Sequence, residues 1–546
     1  MRRVLADGCF REIGLPRIVV ESPAGDLIAV GGILGRPLWQ GASVESRSTR
    51  GVGWEPVGVY RADDMRCVHL FTSRWPVNAF AFHPSLPILA VGTGSYDGGY
   101  CYEGQLLILD LRTGSRVSVL EWTLMVEALT WSDASTLDVV FAPLTDEADA
   151  GKDGAPPRSI HATLVRDDWG TARPKMISWS RRSLDGATRV PRCAPPDPVL
   201  ATAALQAICA RRSARWTPRR SVWAIEVLPD GRILAGLEGT TLECWPPDAA
   251  APAWSVPAAE GRGCQIALST TGQQALTNTL PMRYDPTAAS LVHCVSVVDG
   301  TARTAATVDH PAVLITRTDG TMALRDAGHD PRAAHPITVL DPTGAARGRL
   351  TTSGYDLFNH HFPIRDAPDL LILLGETSRP SRNKWVATIE PAGEEPGFTI
   401  RRLFPLEWDP DRNRHLFGGP GVFLRDAQGA AIIHATAIHD GAGLLPGNAL
   451  IVRRDYPTGR LRWEYHLDNQ ITALDADGAR IVATTNLGEL LILHADDGAL
   501  LHRQHLRLNG HAIVPLSLRV ADPNRAWVGT HDGRILEIEL SITGDY

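Results

Sequence analysis

The stretch Gln470–Arg503 reads "QITALDADGARIVATTNLGELLILHADDGALLHR", and its pattern decides the fold. Ile471–Leu474 is a short apolar run, turned back by Ala476-Asp477-Gly478. Arg480–Thr485 is a second run, rich in β-branched residues, and Asn486-Leu487-Gly488 turns it. Glu489–His494 is a third, and Ala495-Asp496-Asp497-Gly498 leads into a fourth, Ala499–Arg503. Glycine accepts the positive φ that such tight turns demand, so four short strands joined this way form an antiparallel meander. The phrase then restarts: "GHAIVPLSLRVADPNRAWVGTHDGRILEIEL" spans Gly510–Leu540, with His531-Asp532-Gly533 as its last turn. A four-stranded unit recurring at roughly forty residues is the signature of a propeller blade.

Working outward, the same phrase returns along most of the chain. Arg17–Val20 with Asp26–Val30 forms one copy, and Val77–Phe82 with Ile88–Val91 and Gln105–Leu120 a fuller one. Weaker copies begin at Val126, Ser221, Cys264, Ala312, Leu370 and Val422. Together they make about ten phrases, against the ~4 to 8 blades of common propellers. Either some phrases share a blade or the ring is unusually large. The strings "AFHPSLPILAVGTG" and "GQLLILDLRTG" resemble a WD-repeat blade, with its inner strand, proline turn and third strand. "VRRDYPTGRLRWEY" and "LILHADDGALLHR" are similar to the quinoprotein-like repeat. Gly510-His511 stands where a WD-repeat places its Gly-His. The lone Trp408-Asp409 dipeptide is followed by Pro410 and does not fit a WD turn. The resemblance implies an all-β, single-ring propeller of seven or more four-stranded blades. It fixes an architecture and leaves function open.

Net charge is -7, which argues against a general nucleic-acid binder. Lys152, Lys175 and Lys384 are the only lysines, so arginine is the default cation and an arginine cluster says less about phosphate than usual. The eight cysteines form no C-x-x-C pair, which predicts free thiols in a reducing compartment. Met1–Gly8 lacks the apolar core of a signal peptide, and no apolar run approaches the ~18 residues of a membrane span. The expected location is the cytoplasm of a bacterium.

One segment breaks the rhythm. The expected division is 1–144 for the first blades, 145–220 for an Arg- and Pro-rich insertion, and 221–546 for the remaining blades. Inside the insertion Asp197 is a helix N-cap and Pro198 takes the first helical position, predicting a helix over about 198–212. Its apolar stripe is Val199, Leu200, Ala203, Leu205, Ile208 and Cys209, which needs a surface to cover it. Residues 152–220 hold 14 basic and 5 acidic side chains, so positive charge is segregated here. Arg211, Arg212, Arg215, Arg219 and Arg220 around Trp216 form the candidate docking surface for a protein partner with an acidic face. Tryptophan and arginine are the residues most enriched at interface hot spots.

Candidate chemistry is sparse. Asp409-Pro410-Asp411-Arg412-Asn413 matches the start of a calcium loop, but Arg414 stands where glycine is required. Asn359-His360-His361 with His415 offers imidazoles, yet adjacent strand histidines point to opposite faces. The quinoprotein resemblance implies an exported enzyme with calcium and adjacent cysteines, and this chain lacks the cysteine pair. No G-x-S-x-G, phosphate loop or H-E-x-x-H is present. No catalytic, metal or cofactor residue is therefore assigned, and no cofactor is expected. The reading is a non-catalytic protein-interaction scaffold. The alternative is a propeller hydrolase or quinoprotein-like oxidoreductase whose site is built from distant loops. The degenerate repeats also resemble the propeller components of ternary systems with a MoxR-type ATPase and a von Willebrand A protein, which would make those the partners. Finally, the last phrase shows three clear strands. A strand within Met1–Ile13, near Val4 or Phe10, is expected to pair beside Arg534–Leu540, since an open sheet edge is an aggregation hazard.

Overall fold

In a computed structural model, the structure describes residues 1–34, 55–96, 102–121, 124–143, 158–177, 187–214, 216–280, 289–326, 335–352, 362–376, 383–393, 397–408, 415–440 and 443–540. The fold is an all-β propeller of antiparallel, mostly four-stranded blades, with one α-helix among the described residues, in the basic segment.

The logic of a blade is clearest in the Gln470–Arg503 phrase. Its strands are Ile471–Ala476, Arg480–Thr485, Glu489–His494 and Leu500–His505, paired in that order. The middle two are buried along nearly their whole length, because both faces of a blade pack against neighbours. Alternate residues serve the two sides. Ile481, Ala483, Leu491 and Leu493 join a core with Phe417, Ile433 and Trp463 of the preceding blade. Val482, Leu490 and Ile492 join Leu518, Val528 and Leu536 of the following one. This is why the sequence shows unbroken apolar runs there and not a polar–apolar alternation. The outermost strand, Leu500–His505, is the open edge, with Leu500, Arg503 and His505 exposed and none of its residues buried. Gly498 turns the third strand into the fourth at φ +72°, and a Cβ there would lie 2.7 Å from the Trp463 ring. Only glycine fits both demands.

Two compact units divide the chain: Met1–Asp7 with 37–48 and Arg220–Tyr546, and Gly8–Arg36 with Thr49–Arg219. The larger unit holds seven of the phrases. A six-stranded sheet from Val222–Val227 to Ala302–Val308 contains two of them in succession. In it Ile233–Trp245 pairs by its first half with Val222–Val227 and by its second half with Trp254–Pro257, with Gly239 at φ +75° between. The rest of that strand, to Leu268, opens the next phrase. Four-stranded sheets follow from Ala312–Thr316 to Ala346–Thr352, and again in the two C-terminal phrases. The phrase between Ile364 and Leu406 differs. Its short inner strand, Ile364–Arg365, pairs in parallel with Gly421-Val422 of the next phrase, leaving a three-stranded sheet behind it.

The last blade is completed from the start of the chain. Arg3–Leu5 pairs antiparallel with Ile535–Glu539 in the register Arg3↔Glu537, Val4↔Leu536, Leu5↔Ile535. The expected strand is therefore the one at Val4; Phe10 instead enters the core of the other unit.

That smaller unit contains three four-stranded sheets, beginning at Leu15–Glu21, Val77–Phe82 and Val126–Trp131, and the helix α1, Pro198–Arg211. The ten phrases thus fall seven and three between the units, and the excess over a common ring needs no shared blades. One unit boundary falls between Arg219 and Arg220, and the basic segment belongs to the same compact unit as the sheets before it.

Candidate functional site

The cavity of the larger unit is built from the first strand of each of its seven phrases. Residues from Trp223–Glu226, Gln265-Ile266, Leu314–Thr316, Pro363–Arg365, Gly418–Pro420, Gln470–Leu474 and Leu516–Leu518 line it, around a volume of about 230 Å³. Every inner strand contributes, as expected for the channel of a closed ring of blades. Its wall mixes aliphatic residues of the inner strands with Glu226, Gln265, Thr316, Arg365, Gln470 and Thr472.

Polar side chains on these strands hold neighbours together. The Gln265 amide donates to the Leu314 carbonyl at 2.6 Å and accepts from the Leu314 N–H at 2.5 Å, bridging two inner strands as a peptide group would. Two arginines and three carboxylates do the same for four phrases. Arg519 Nε lies 2.7 Å from Glu226, and its Nη1 lies 3.3 Å from Asp366 and 3.5 Å from Asp475. Arg365 Nη2 is 3.3 Å from Glu226, and Arg365 Nη1 donates to the Leu518 carbonyl at 2.8 Å. Asp475, nearly inaccessible, also accepts the Val520 N–H at 2.8 Å. Burial works to lower the Arg519 pKa, but Glu226, Asp475 and Asp366 together overcome it and hold the guanidinium above its ordinary value. Arg519 is a permanent cation whose donors face carboxylates on three other phrases. Chemically the cluster is a charge clamp between strands. Sequence reading missed it because its members are scattered from Glu226 to Arg519 and each looks like an ordinary turn-flanking charge.

The candidate docking residues are dispersed by the fold. The helix forms as expected, with the Asp197 carboxylate accepting the Val199 N–H at 2.8 Å and Pro198 in the first turn. Its stripe is only partly covered. Leu205, Ile208 and Cys209 enter a core with Phe10, Ile28, Val30 and Tyr60, whereas Ala203 is exposed. Val199 and Leu200 stand 74% and 69% exposed in the first turn. Trp216 is core: it is buried and meets Phe10 edge-on at 6.0 Å. The expectation of a Trp216-centred surface is corrected on this point, because indole burial in the chain's own core removes it from contact with a partner. Arg211 and Arg212 both pair with Glu21, the latter at 3.0 Å, within the smaller unit. Arg220 pairs with Glu238 at 2.9 Å within the larger one. Arg219 is half-buried, and Arg215 lies outside the described residues. Nearby, Arg192 ties the basic segment to the third sheet through Glu127, at 2.8 Å, and donates to the Tyr102 hydroxyl at 2.8 Å.

The sequence stretches considered for metals, 359–361 and 409–413, lie outside the described residues. Among the described residues, no group of three or more histidine, cysteine or acidic side chains is placed to hold a metal ion. No described helix is long and apolar enough to cross a membrane. Cys9, Cys67, Cys193, Cys209, Cys244 and Cys294 are free thiols.

No family model and no curated protein matches the chain. Among solved structures, BamB from Moraxella catarrhalis is similar with a TM-score of 0.34 and 14% identity, covering 60% of this chain and 87% of that one.

Proposed function

We propose that this chain is a non-catalytic β-propeller scaffold for protein contacts, of the degenerate WD-repeat-like or quinoprotein-like kind, acting in the cytoplasm. The observation that carries the reading is the first turn of α1. A helix that buries Leu205, Ile208 and Cys209 against its own unit leaves Val199 and Leu200 adjacent in solvent, although each would gain about 1.5–3 kcal/mol by burial. Exposed apolar pairs beside charged groups are what protein contacts cover. Arg211, more than half exposed despite its pairing with Glu21, supplies a cation on the same helix for an acidic rim on the partner. The charge clamp around the channel supports a rigid frame rather than a reaction centre, since its cations and carboxylates face one another. An ATPase or a von Willebrand A protein would be a suitable partner class under this reading.

The test is capture of partners from native-host extract by immobilised protein, compared with Val199→Asp/Leu200→Asp. The double variant should keep the wild-type melting curve and lose the captured protein. Undiminished capture by the folded variant would move the contact face to the blade loops. Capture of nothing by either form, with turnover of a model ester, glycoside or alcohol substrate, would favour the enzyme alternative.

A further inference from the structure

The channel of the larger unit is shaped by irregularities in its inner strands. The strands beginning at Val222, Ile471 and Pro515 each skip one residue of the register with their second strands, and the skipped residues are Trp223, Thr472 and Leu516. A bulge of this kind re-aims its extra residue out of the ladder. All three residues line the cavity of about 230 Å³. That volume lies below the ~300–1,000 Å³ of sites for drug-sized molecules, so the fitting occupant is a single small ring.

The wall restricts the chemistry of that ring. Its two charged residues, Glu226 and Arg365, stand 3.3 Å apart and neutralise each other. A charged occupant would leave water without finding a free counter-charge, which is strongly unfavourable. The Gln265 amide is already engaged on both sides by Leu314. By contrast, the Thr316 hydroxyl and the Gln470 amide, both half-buried, have no hydrogen-bond partner among the described residues. Thr316 belongs to the third and Gln470 to the sixth of the seven phrases around the channel, so the two groups stand on opposite sides of it. A flat heterocycle with one polar edge reaches only one of them. A saturated ring with hydroxyls around its whole rim reaches both, and its C–H groups suit the indole and aliphatic parts of the wall.

We propose that the channel binds one uncharged, polyhydroxylated ring, a hexose or a cyclitol, held across the channel by Thr316 and Gln470. Both side chains donate and accept, as hydroxyl ligands require. The Gln470 side chain is available because the fold uses its backbone, whose carbonyl accepts the Asn486 N–H at 2.9 Å. An occupant bound this way ties the third phrase to the sixth, and binding only to the folded ring stabilises it by mass action. The site uses no residue of α1, so it stands or falls separately from the partner contact.

Full-length protein is titrated calorimetrically with D-glucose, D-galactose and myo-inositol, and with glucuronate, glucosamine and uracil for comparison. At least one of the three neutral polyols should bind with a dissociation constant of about 1 mM or tighter. At about ten times that concentration it should raise the unfolding midpoint by about 2 °C. Thr316→Val and Gln470→Ala should fold as wild type does and bind about fivefold to tenfold more weakly, the loss expected for one or two neutral hydrogen bonds. Thr316→Ser keeps the hydroxyl and should bind as wild type does. Absence of binding by all three polyols, tighter binding of glucuronate, glucosamine or uracil, or unchanged affinity in either folded variant that lacks a polar group would each overturn the proposal.

Discussion

Leu5 lies directly opposite Ile535, joining the beginning of the chain to its last blade. Leu5 is also buried in a core with Val222, Ile225 and Trp527, so one side chain links the completed blade to the phrase that follows it around the channel. Arg3 and Arg534 reinforce the pairing, Arg3 donating to the Ala249 carbonyl at 2.9 Å and Arg534 reaching Asp7 at 2.8 Å.

Replacing Leu5 with alanine should destabilise the larger unit by about 2–4 kcal/mol, the usual cost of a cavity at a well-packed leucine. Val4→Pro should cost at least as much, because proline removes the backbone donor from a pairing of three residues. Urea unfolding followed by tryptophan fluorescence measures both. A change below 0.5 kcal/mol in each would mean that this strand contributes little to blade closure.

The charge clamp makes a graded prediction. Asp475→Asn leaves Arg519 and Arg365 short of a buried counter-charge and should cost about 3 kcal/mol or more. Asp366→Asn acts on a carboxylate that is 55% exposed and should cost less than about 1 kcal/mol. Arg519→Met, which removes the cation from among three carboxylates, should resemble Asp475→Asn. Equal effects at Asp475 and Asp366 would show that the cluster is solvated rather than a clamp.

How far the sequence could be read follows from which faces it encodes. Ile481 and Val482 are both apolar because each packs on a different blade, so the phrase and its strands are visible in a run of letters. The neighbour each face meets is not written there. The same run suits any adjacent blade, and that is why ten phrases could be recognised while their division between two units could not. The helix was legible through Asp197 and Pro198, whose capping chemistry is local. Trp216 was misread for a physical reason: an indole in an arginine-rich stretch looks alike whether it faces a partner or Phe10. Glu226, Asp475 and Arg519 carry no local sign of meeting, since only the closure of inner strands brings them together.

Reversal of Arg211 and Arg212 to glutamate separates surface from core on the helix. Both arginines pair with Glu21 near solvent, so the double reversal should cost no more than about 1–2 kcal/mol. Trp216→Ala, by contrast, should cost about 3–5 kcal/mol by emptying a core position. Thermal melts of the two variants decide this. A larger loss from the arginine reversal than from Trp216→Ala would invert the assignment, and loss of partner capture in a well-folded reversal variant would place the acidic partner on this rim.

His434 sets an acid limit on the larger unit. It is 1% exposed and meets Phe362 edge-on at 5.4 Å. Burial first, then the nearby Arg454 guanidinium, pushes its imidazole down to about 3. An unfolded chain takes up that proton near the ordinary value of about 6.5, whereas the folded one refuses it. The contribution to stability is therefore complete above about 6.5 and is lost progressively as pH falls from there toward 3, at up to about 1.4 kcal/mol per pH unit. His434→Leu cannot titrate and suits the apolar surroundings, so it should match wild type within about 1 kcal/mol at pH 7.5. Below pH 6 the variant should become the more stable protein, with the gap widening toward pH 4. Urea midpoints at half-unit steps of pH measure the difference. Parallel curves for the two proteins would show that this histidine does not set the acid limit.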